Sequence, residues 1–221
     1  MNLTIAEVDA RAWAKQARKP ELVVGVHESP WGWVVLGFVG QDLAALNLVE
    51  RGPSVAAAMD QFAAAWPGAT VRCDNQGTAA ALKKAVAAWR GGRGAALRVL
   101  LKGTTFQRRV WRELLQIPRG ATATYGEIAR RVRRPGAARA VGGAIGANPV
   151  GVLVPCHRVL AAAGKLGGYA WGPKKKRALL KAEGVGMPRF EPDFAALAKP
   201  CLGMFAGPGD LSSREGYRRK S

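Results

Sequence analysis

The chain has 221 residues and a formal net charge of +19 at pH 7, from 34 Lys and Arg against 15 Asp and Glu. A hydrophobic fraction of 48% at this length can bury a core without disulfides. No apolar run approaches the roughly 18 to 20 residues that a transmembrane helix needs, which predicts a cytoplasmic protein with no membrane partner. Three widely spaced cysteines and two histidines fit neither a disulfide framework nor a structural zinc site, so we expect no metal.

The positive charge is concentrated in one part of the chain. Residues 102–189 carry 18 Lys and Arg against three Asp and Glu, whereas residues 1–101 carry 11 against eight. A solvated basic surface would give a high net charge without any function. Concentration in one window instead favours an anionic polymer as the partner, because neutralised phosphates release counterions.

The first half of the chain predicts a small domain of strands and helices over residues 21–101. Before it, residues 3–19 have helical spacing and many alanines, which predicts a marginal helix or a frayed part of an N-terminal extension, 1–20. Three β-rich runs at 22–26, 33–39 and 43–49 are broken by turn residues and predict an antiparallel meander. Helices at 54–65, with Ser54 as N-cap, and at 77–90 follow, and a strand returns at 97–101.

The second half, residues 102–189, is predicted to be mostly helical. Apolar periodicity gives helices at 105–116, 125–132, 136–147 and 173–182. A short Pro135-Gly136 turn joins the second and third of these, which makes them a helix-turn-helix candidate, although any helical hairpin gives the same pattern. The run 174–177 in the last helix, Lys-Lys-Lys-Arg, is expected to point outward. Abundant Gly and Pro in 190–221 predict a flexible C-terminal tail.

Cys156 lies in the most informative segment of the chain, between Pro155 and His157 and flanked by the apolar runs 150–154 and 159–160. Proline fixes the backbone before the thiol and disfavours helix, so we expect Cys156 at a bend, as a protected nucleophile. A buried inert cysteine would give the same short pattern.

A thiol reacts as thiolate and therefore needs a base at neutral pH. His157 is the histidine next to Cys156, and Glu183 is one of only three acids in the basic segment 102–189. A histidine oriented by a carboxylate is a recurrent way to activate a nucleophile. An ion pair of Glu183 with Lys181 or Arg177 at a helix end is the alternative for this carboxylate.

Several other motifs surround this segment in a fixed order. They are Gly103-Thr104-Thr105-Phe106-Gln107 with Val110-Trp111, Ile117-Pro118, Thr124-Tyr125-Gly126, Arg139-Ala140-Val141-Gly142, Asn148-Pro149, Gly168-Tyr169 and Leu179-Leu180 with Glu183-Gly184. Over residues 103–184 the chain resembles the O6-alkylguanine-DNA alkyltransferase family, most of all the catalytic domain of the bacterial adaptive-response proteins. The resemblance implies an α+β fold, in which a ribonuclease-H-like α/β domain precedes a mostly helical domain with a helix-turn-helix of winged-helix type.

The resemblance also implies a DNA repair protein that flips O6-alkylguanine, and O4-alkylthymine, out of the duplex. The alkyl group is then transferred irreversibly to the protein's own cysteine, once per molecule and without a cofactor. In the matching positions Cys156 is the nucleophile, His157 the base, Glu183 the group that orients the imidazole, and Asn148 their support. Tyr125 supplies a proton to the departing guanine.

DNA contacts follow from the same resemblance. Arg139 is implied to fill the space that the flipped base leaves, and the small residues Ala138 and Gly142 let a monomer approach the minor groove of double-stranded DNA closely. The pocket for the flipped base would be lined by Tyr125, Ile145, Val159, Tyr169 and Ala170.

Two other classes of protein share part of this sequence pattern. An alkyltransferase-like protein that only recognises lesions would have replaced the reactive cysteine, whereas this chain retains Cys156. A papain-like cysteine hydrolase would have its histidine far along the chain, whereas His157 is adjacent to the cysteine.

Overall fold

The computed structural model describes residues 3–15, 21–50, 52–92 and 96–186. The predicted tail 190–221 lies outside these ranges, as do residues 1–2 and 16–20 of the predicted extension. No helix within the described ranges is long and apolar enough to cross a membrane.

The N-terminal half contains a six-stranded mixed sheet, built from β1 (Leu3–Asp9), β2 (Leu22–Ser29), β3 (Gly32–Val39), β4 (Asp42–Val49), β5 (Val71–Cys73) and β6 (Leu97–Gly103). The strand order is β1-β6-β4-β3-β2-β5. Strands β2, β3 and β4 form the predicted antiparallel meander, while β1 and β4 run parallel to β6, and β5 runs parallel to β2. Strand β5 was not predicted from the sequence.

Residues 3–9 correct the helical expectation for 3–19. They form β1, and the only helix of this segment within the described residues is α1 (Ala10–Ala14). Leu3 and Ile5 pack against the core on one face of the sheet, and Ala6 and Val8 pack against the core on the other. This is the period-two alternation of a strand. Pairing with β6 gives the backbone of residues 3–9 hydrogen bonds that an isolated short helix would not secure.

The described residues also form six longer helices: α2 (Pro53–Ala65), α3 (Asn75–Trp89), α4 (Thr105–Leu115), α5 (Tyr125–Arg131), α6 (Ala138–Gly146) and α7 (Gly172–Ala182). Each lies close to its predicted range. The predicted N-cap of α2 is wrong, because Gly52 occupies that position and Ser54 hydrogen-bonds the backbone of Glu50 instead. Helix α4 begins with a capping box between Thr104 and Gln107.

Two cores lie on opposite faces of the sheet. On one face, α2 packs through Phe62 together with Trp13 and Trp66. The core on the other face includes α3 and the helices of the C-terminal half, and it extends from Leu36 in β3 to Cys156. The segment that carries the thiol is therefore packed directly against the sheet.

Candidate active site

The sheet anchors the segment that leads to Cys156. Leu46 in β4 accepts a hydrogen bond from the amide of Gly151 and donates its own amide to the carbonyl of Pro149. Val152 has a φ of +66°, an unusual conformation for a β-branched residue. Residues Cys156–Arg158 then form a single 3₁₀ turn, and β8 (Val159–Leu160) pairs in parallel with β7 (Ala123–Thr124). The predicted bend at Cys156 is thus a 3₁₀ turn preceding a short strand.

The thiol of Cys156 is buried, with the residue 4% exposed, and it is held by Asn148. Asn148 Nδ2 donates to Cys156 Sγ at 3.2 Å and to the carbonyl of Val154 at 2.8 Å, while its Oδ1 accepts from the amide of Val150. Burial raises the pKa of the Cys156 thiol, and the hydrogen bond from Asn148 opposes that rise. The thiol is therefore protonated at rest and needs a base.

His157 lies in the same turn and is fully buried. Its Nε2 is 3.0 Å from Glu183 Oε1, and its Nδ1 has no hydrogen-bond partner among the described residues. Burial lowers the pKa of His157, against the opposing effect of Glu183, so the imidazole is neutral at pH 7. Because a carboxylate can only accept, the proton of the neutral ring is assigned to Nε2, which leaves Nδ1 as an acceptor.

Glu183 follows α7 and receives hydrogen bonds from three side chains. Arg158 donates Nε to Oε2 at 2.7 Å and Nη2 to Oε1 at 2.8 Å, and Trp89 donates Nε1 to Oε1 at 2.9 Å. Burial alone would raise the pKa of Glu183, but hydrogen bonds from Arg158 and His157, together with the charge of Arg158, outweigh it and lower the pKa to about 2. Neither Arg158 nor Trp89 was assigned a role from the sequence.

Tyr125, the first residue of α5, lies beside a loop of the C-terminal half. Its hydroxyl donates to the carbonyl of Gly168 at 3.4 Å. A Cβ on Gly167, where φ is +66°, would come within 3.2 Å of the Tyr125 ring, so glycine is required there. Burial raises the pKa of Tyr125, and Tyr125 therefore stays protonated at neutral pH.

Lys176 corrects the expectation that 174–177 points outward. Its side chain is buried, and Nζ donates to the carbonyls of Val159 at 2.6 Å, Leu166 at 2.5 Å and Gly168 at 3.1 Å. An ammonium has three donors, and all three are used here. Lys176 thus links α7 to Val159 in β8 and to Leu166 and Gly168 in the loop that contacts Tyr125.

The remaining predicted site residues lie on α6 and in the loop after β8. Arg139 and Ala138 are exposed at the start of α6, and Arg139 has no hydrogen bond or ion pair with any described residue. A Cβ on Gly142 would lie 3.8 Å from the Tyr125 ring.

In the loop after β8, Tyr169 is half-buried and its hydroxyl has no partner within the described part of the chain, whereas Ala170 is exposed. Ile145 is 7% exposed and packs in the core.

Comparison with known proteins gives matches concentrated in the C-terminal half. The family profile described as the DNA binding domain of 6-O-methylguanine DNA methyltransferase matches residues 105–185. A methylated-DNA--protein-cysteine methyltransferase from Mycobacterium bovis is 60% identical over 83 residues, 38% of this chain and 50% of that protein. One from Salmonella typhimurium is 55% identical over 82 residues, 37% and 48% of the two chains. The chain thus spans about half the length of the curated relatives it matches.

Solved structures extend the similarity beyond that half. The crystal structure of Mycobacterium tuberculosis O6-methylguanine methyltransferase is 36% identical, with a TM-score of 0.58 over 80% of this chain and 99% of that one. The structure of OGT from the same organism in complex with DNA is 38% identical, with a TM-score of 0.57 over 73% and 92%. These matches agree with the resemblance drawn from the motifs around Cys156. The chain belongs to the 6-O-methylguanine DNA methyltransferase family.

Proposed function

We propose that the protein repairs O6-alkylguanine in DNA by transferring the alkyl group to Sγ of its own Cys156. One observation carries the proposal: a buried thiol that accepts from Asn148 shares a 3₁₀ turn with a neutral histidine, and that histidine donates to an ionised glutamate. The other ring nitrogen, His157 Nδ1, has no partner among the described residues. The names of the relatives, methylated-DNA--protein-cysteine methyltransferases, support the same reaction.

The reaction begins with loss of the thiol proton. His157 accepts the proton of Cys156 at Nδ1 through a water molecule, and Glu183 stabilises the imidazolium that results. Asn148 Nδ2 donates to the sulfur throughout and stabilises the developing thiolate. The buried carboxylate remains charged because Arg158 pairs with both of its oxygens.

Transfer then exchanges one bond for another. The thiolate attacks the alkyl carbon, a C–S bond forms, and the electron pair of the C–O6 bond moves into the guanine ring. Tyr125 donates the proton that makes guanine a neutral leaving group. Because burial raises the pKa of Tyr125, its hydroxyl still carries that proton at neutral pH. A thioether has no good leaving group, so Cys156 is not regenerated and each molecule reacts once without a cofactor.

A base inside a duplex cannot reach a buried thiol, so the target nucleotide must leave the stack. We assign this step to α6, on which Arg139 is exposed and has no partner among the described residues. Ala138 and Gly142 keep the neighbouring surface low, which suits close approach to a minor groove. The relay lies within one chain, which supports a monomer as the active form.

The pocket for the flipped base is proposed between α5 and the loop after β8. Tyr169 and Ala170 belong to that loop, and the carbonyl of Val159 retains a second lone pair while it accepts from Lys176. Ile145 supports the pocket from the core beneath it.

The finer description of the fold is also a proposal. An antiparallel meander flanked by parallel strands supports a variant of the ribonuclease-H-like topology for 21–101. The α5–α6 pair beside the β7–β8 ladder supports a helix-turn-helix related to winged helices for 102–189.

Mass spectrometry tests the reaction directly. The protein is incubated with a duplex that carries one O6-methylguanine, and we expect a gain of one methyl group per molecule, located on Cys156 by peptide mapping. Cys156→Ala should gain none and still bind the duplex, because phosphate contacts dominate affinity. Methyl on Cys73 or Cys201, or no methyl at all, would contradict the proposal.

A further inference from the structure

We propose that Trp89 is a positioning residue for the transfer reaction: its indole N–H shares Oε1 of Glu183 with His157 and so holds that carboxylate in its working orientation. The inference rests on the proposed function, because the carboxylate matters only if His157 removes the thiol proton. It assigns a task in the reaction to the N-terminal half of the chain.

Trp89 ends α3, far from the motifs around Cys156 in sequence. It is 7% exposed, and its Nε1 donates to Glu183 Oε1 at 2.9 Å. The same oxygen accepts from His157 Nε2 at 3.0 Å and from Arg158 Nη2 at 2.8 Å. Trp89 therefore donates to the same carboxylate oxygen that accepts from His157, the proposed general base.

Two further groups fix the plane of the indole. The Arg119 guanidinium carbon lies 5.2 Å from the centre of the Trp89 ring, and Trp31 packs against it edge to face at 5.5 Å. Arg119 also donates Nη2 to the carbonyl of Ala182, the residue before Glu183. Trp89 and the backbone that carries Glu183 are thus held by the same arginine.

The indole N–H competes with the imidazole for Oε1. A carboxylate oxygen that accepts an additional hydrogen bond is a weaker acceptor for its other donors. Loss of the indole N–H would let Glu183 draw the proton of His157 more strongly, which favours the imidazolium. A protonated His157 cannot accept the thiol proton, so the reaction would then need a higher pH.

The other charged groups around the pair do not change in this comparison. Arg158 and Lys176 disfavour a proton on His157, and Glu183 favours it. Tyr169 and Cys156 are further titratable groups in this region. Arg119 is the charged group that faces Trp89 itself, and Phe keeps an aromatic ring against it. Trp89→Phe therefore changes a hydrogen bond and packing but no charge.

The test compares Trp89→Phe with Trp66→Phe, which loses similar packing but lies away from Trp89 and Glu183. Trp66 is 3% exposed and packs in the core on the opposite face of the sheet. Transfer to Cys156 is measured against pH, and His157 is titrated by NMR with His27, the other histidine of the chain, as internal reference. We expect Trp89→Phe to react roughly tenfold more slowly at pH 7, with the acid limb of the profile and the His157 titration both moved to higher pH.

Trp66→Phe should keep both midpoints. A uniformly slower Trp89→Phe with wild-type midpoints would overturn the inference and indicate a packing role alone. If Trp89→Phe does not fold, benzothienylalanine at position 89 keeps the shape of the side chain without the N–H and is held to the same outcomes. A wild-type protein that transfers no alkyl group would overturn the proposed function as well, whereas normal transfer with unshifted midpoints overturns only the role of Trp89.

Discussion

Cys156, His157, Asn148 and Glu183 are each at most 6% exposed and each contacts another buried polar group, whereas Arg139 is exposed on α6 and contacts no described partner. In the buried region, removal of one side chain leaves others unsatisfied at low dielectric, so single substitutions should have large effects that depend on pH. On the exposed face, the proposed function makes a charge act through contacts with DNA, which salt screens. The effects of substitutions should therefore be larger in the buried region than on the exposed face. They should depend on pH in the buried region and on salt concentration on the exposed face.

The largest effect is expected for His157→Ala, which removes the proposed base. Transfer should slow by roughly 10²- to 10⁴-fold and recover partly as pH rises, since hydroxide can replace a missing base. Single-turnover rates between pH 6 and 9 measure this, with His27→Ala as the control that keeps the wild-type profile. A His157→Ala protein with the wild-type profile would remove His157 from the mechanism.

Glu183→Gln should cost about 3 to 5 kcal/mol of unfolding free energy at pH 7, because Arg158 then stays buried without a counter-charge. The folded-state pKa of Glu183 is about 2, below its ordinary value of 4.5. Its contribution is therefore present above pH 4.5 and is lost as pH falls towards 2. The unfolding free energy, measured with urea at several pH values, should fall between pH 4.5 and 2 in the wild type and should fall less in Glu183→Gln. Exposed Glu28→Gln is the control, and equal losses in both variants would contradict the buried pair.

A smaller effect is expected for Lys176→Met, which leaves three carbonyl groups without their donor. We expect a loss of about 2 kcal/mol in unfolding free energy. Lys174→Met, two residues earlier and exposed, should be nearly neutral. If the two variants unfold at the same urea concentration, Lys176 does not hold the loop.

Local patterns in the sequence were sufficient for much of the fold. The meander β2–β4 and the helices follow from alternation, periodicity and turn residues within short windows. Strand β1 could not be predicted in this way, because Ile5 and Val8 fit a helix as well as a strand and the partner strand β6 lies about 90 residues later. The boundary between 21–101 and 102–189 stays a prediction, since one core draws on both halves.

Cys156 and His157, the proposed nucleophile and base, could be singled out from the sequence because they lie in one short motif, whereas Glu183, Asn148 and Tyr125 were assigned from the family resemblance. Their supporting contacts were missed because they come from distant parts of the chain, such as Trp89 to Glu183. Lys176 had a detectable signal: it shares a helix face with Leu179 and Leu180, three and four residues later, which marks it as inward-facing within a basic run. The positive charge of the run 174–177, taken alone, predicted that Lys176 points outward.

The comparison between the two regions is tested most directly with Arg139→Ala on two substrates. Duplex O6-methylguanine requires the base to leave the stack, whereas free O6-benzylguanine does not. We expect Arg139→Ala to slow repair of the duplex roughly tenfold while the rate with the free base stays at the wild-type value. Exposed Arg131→Ala controls for loss of one positive charge and should change only the affinity and its salt dependence. Equal losses on both substrates would contradict the account, because Arg139 would then act on the buried site or on the fold.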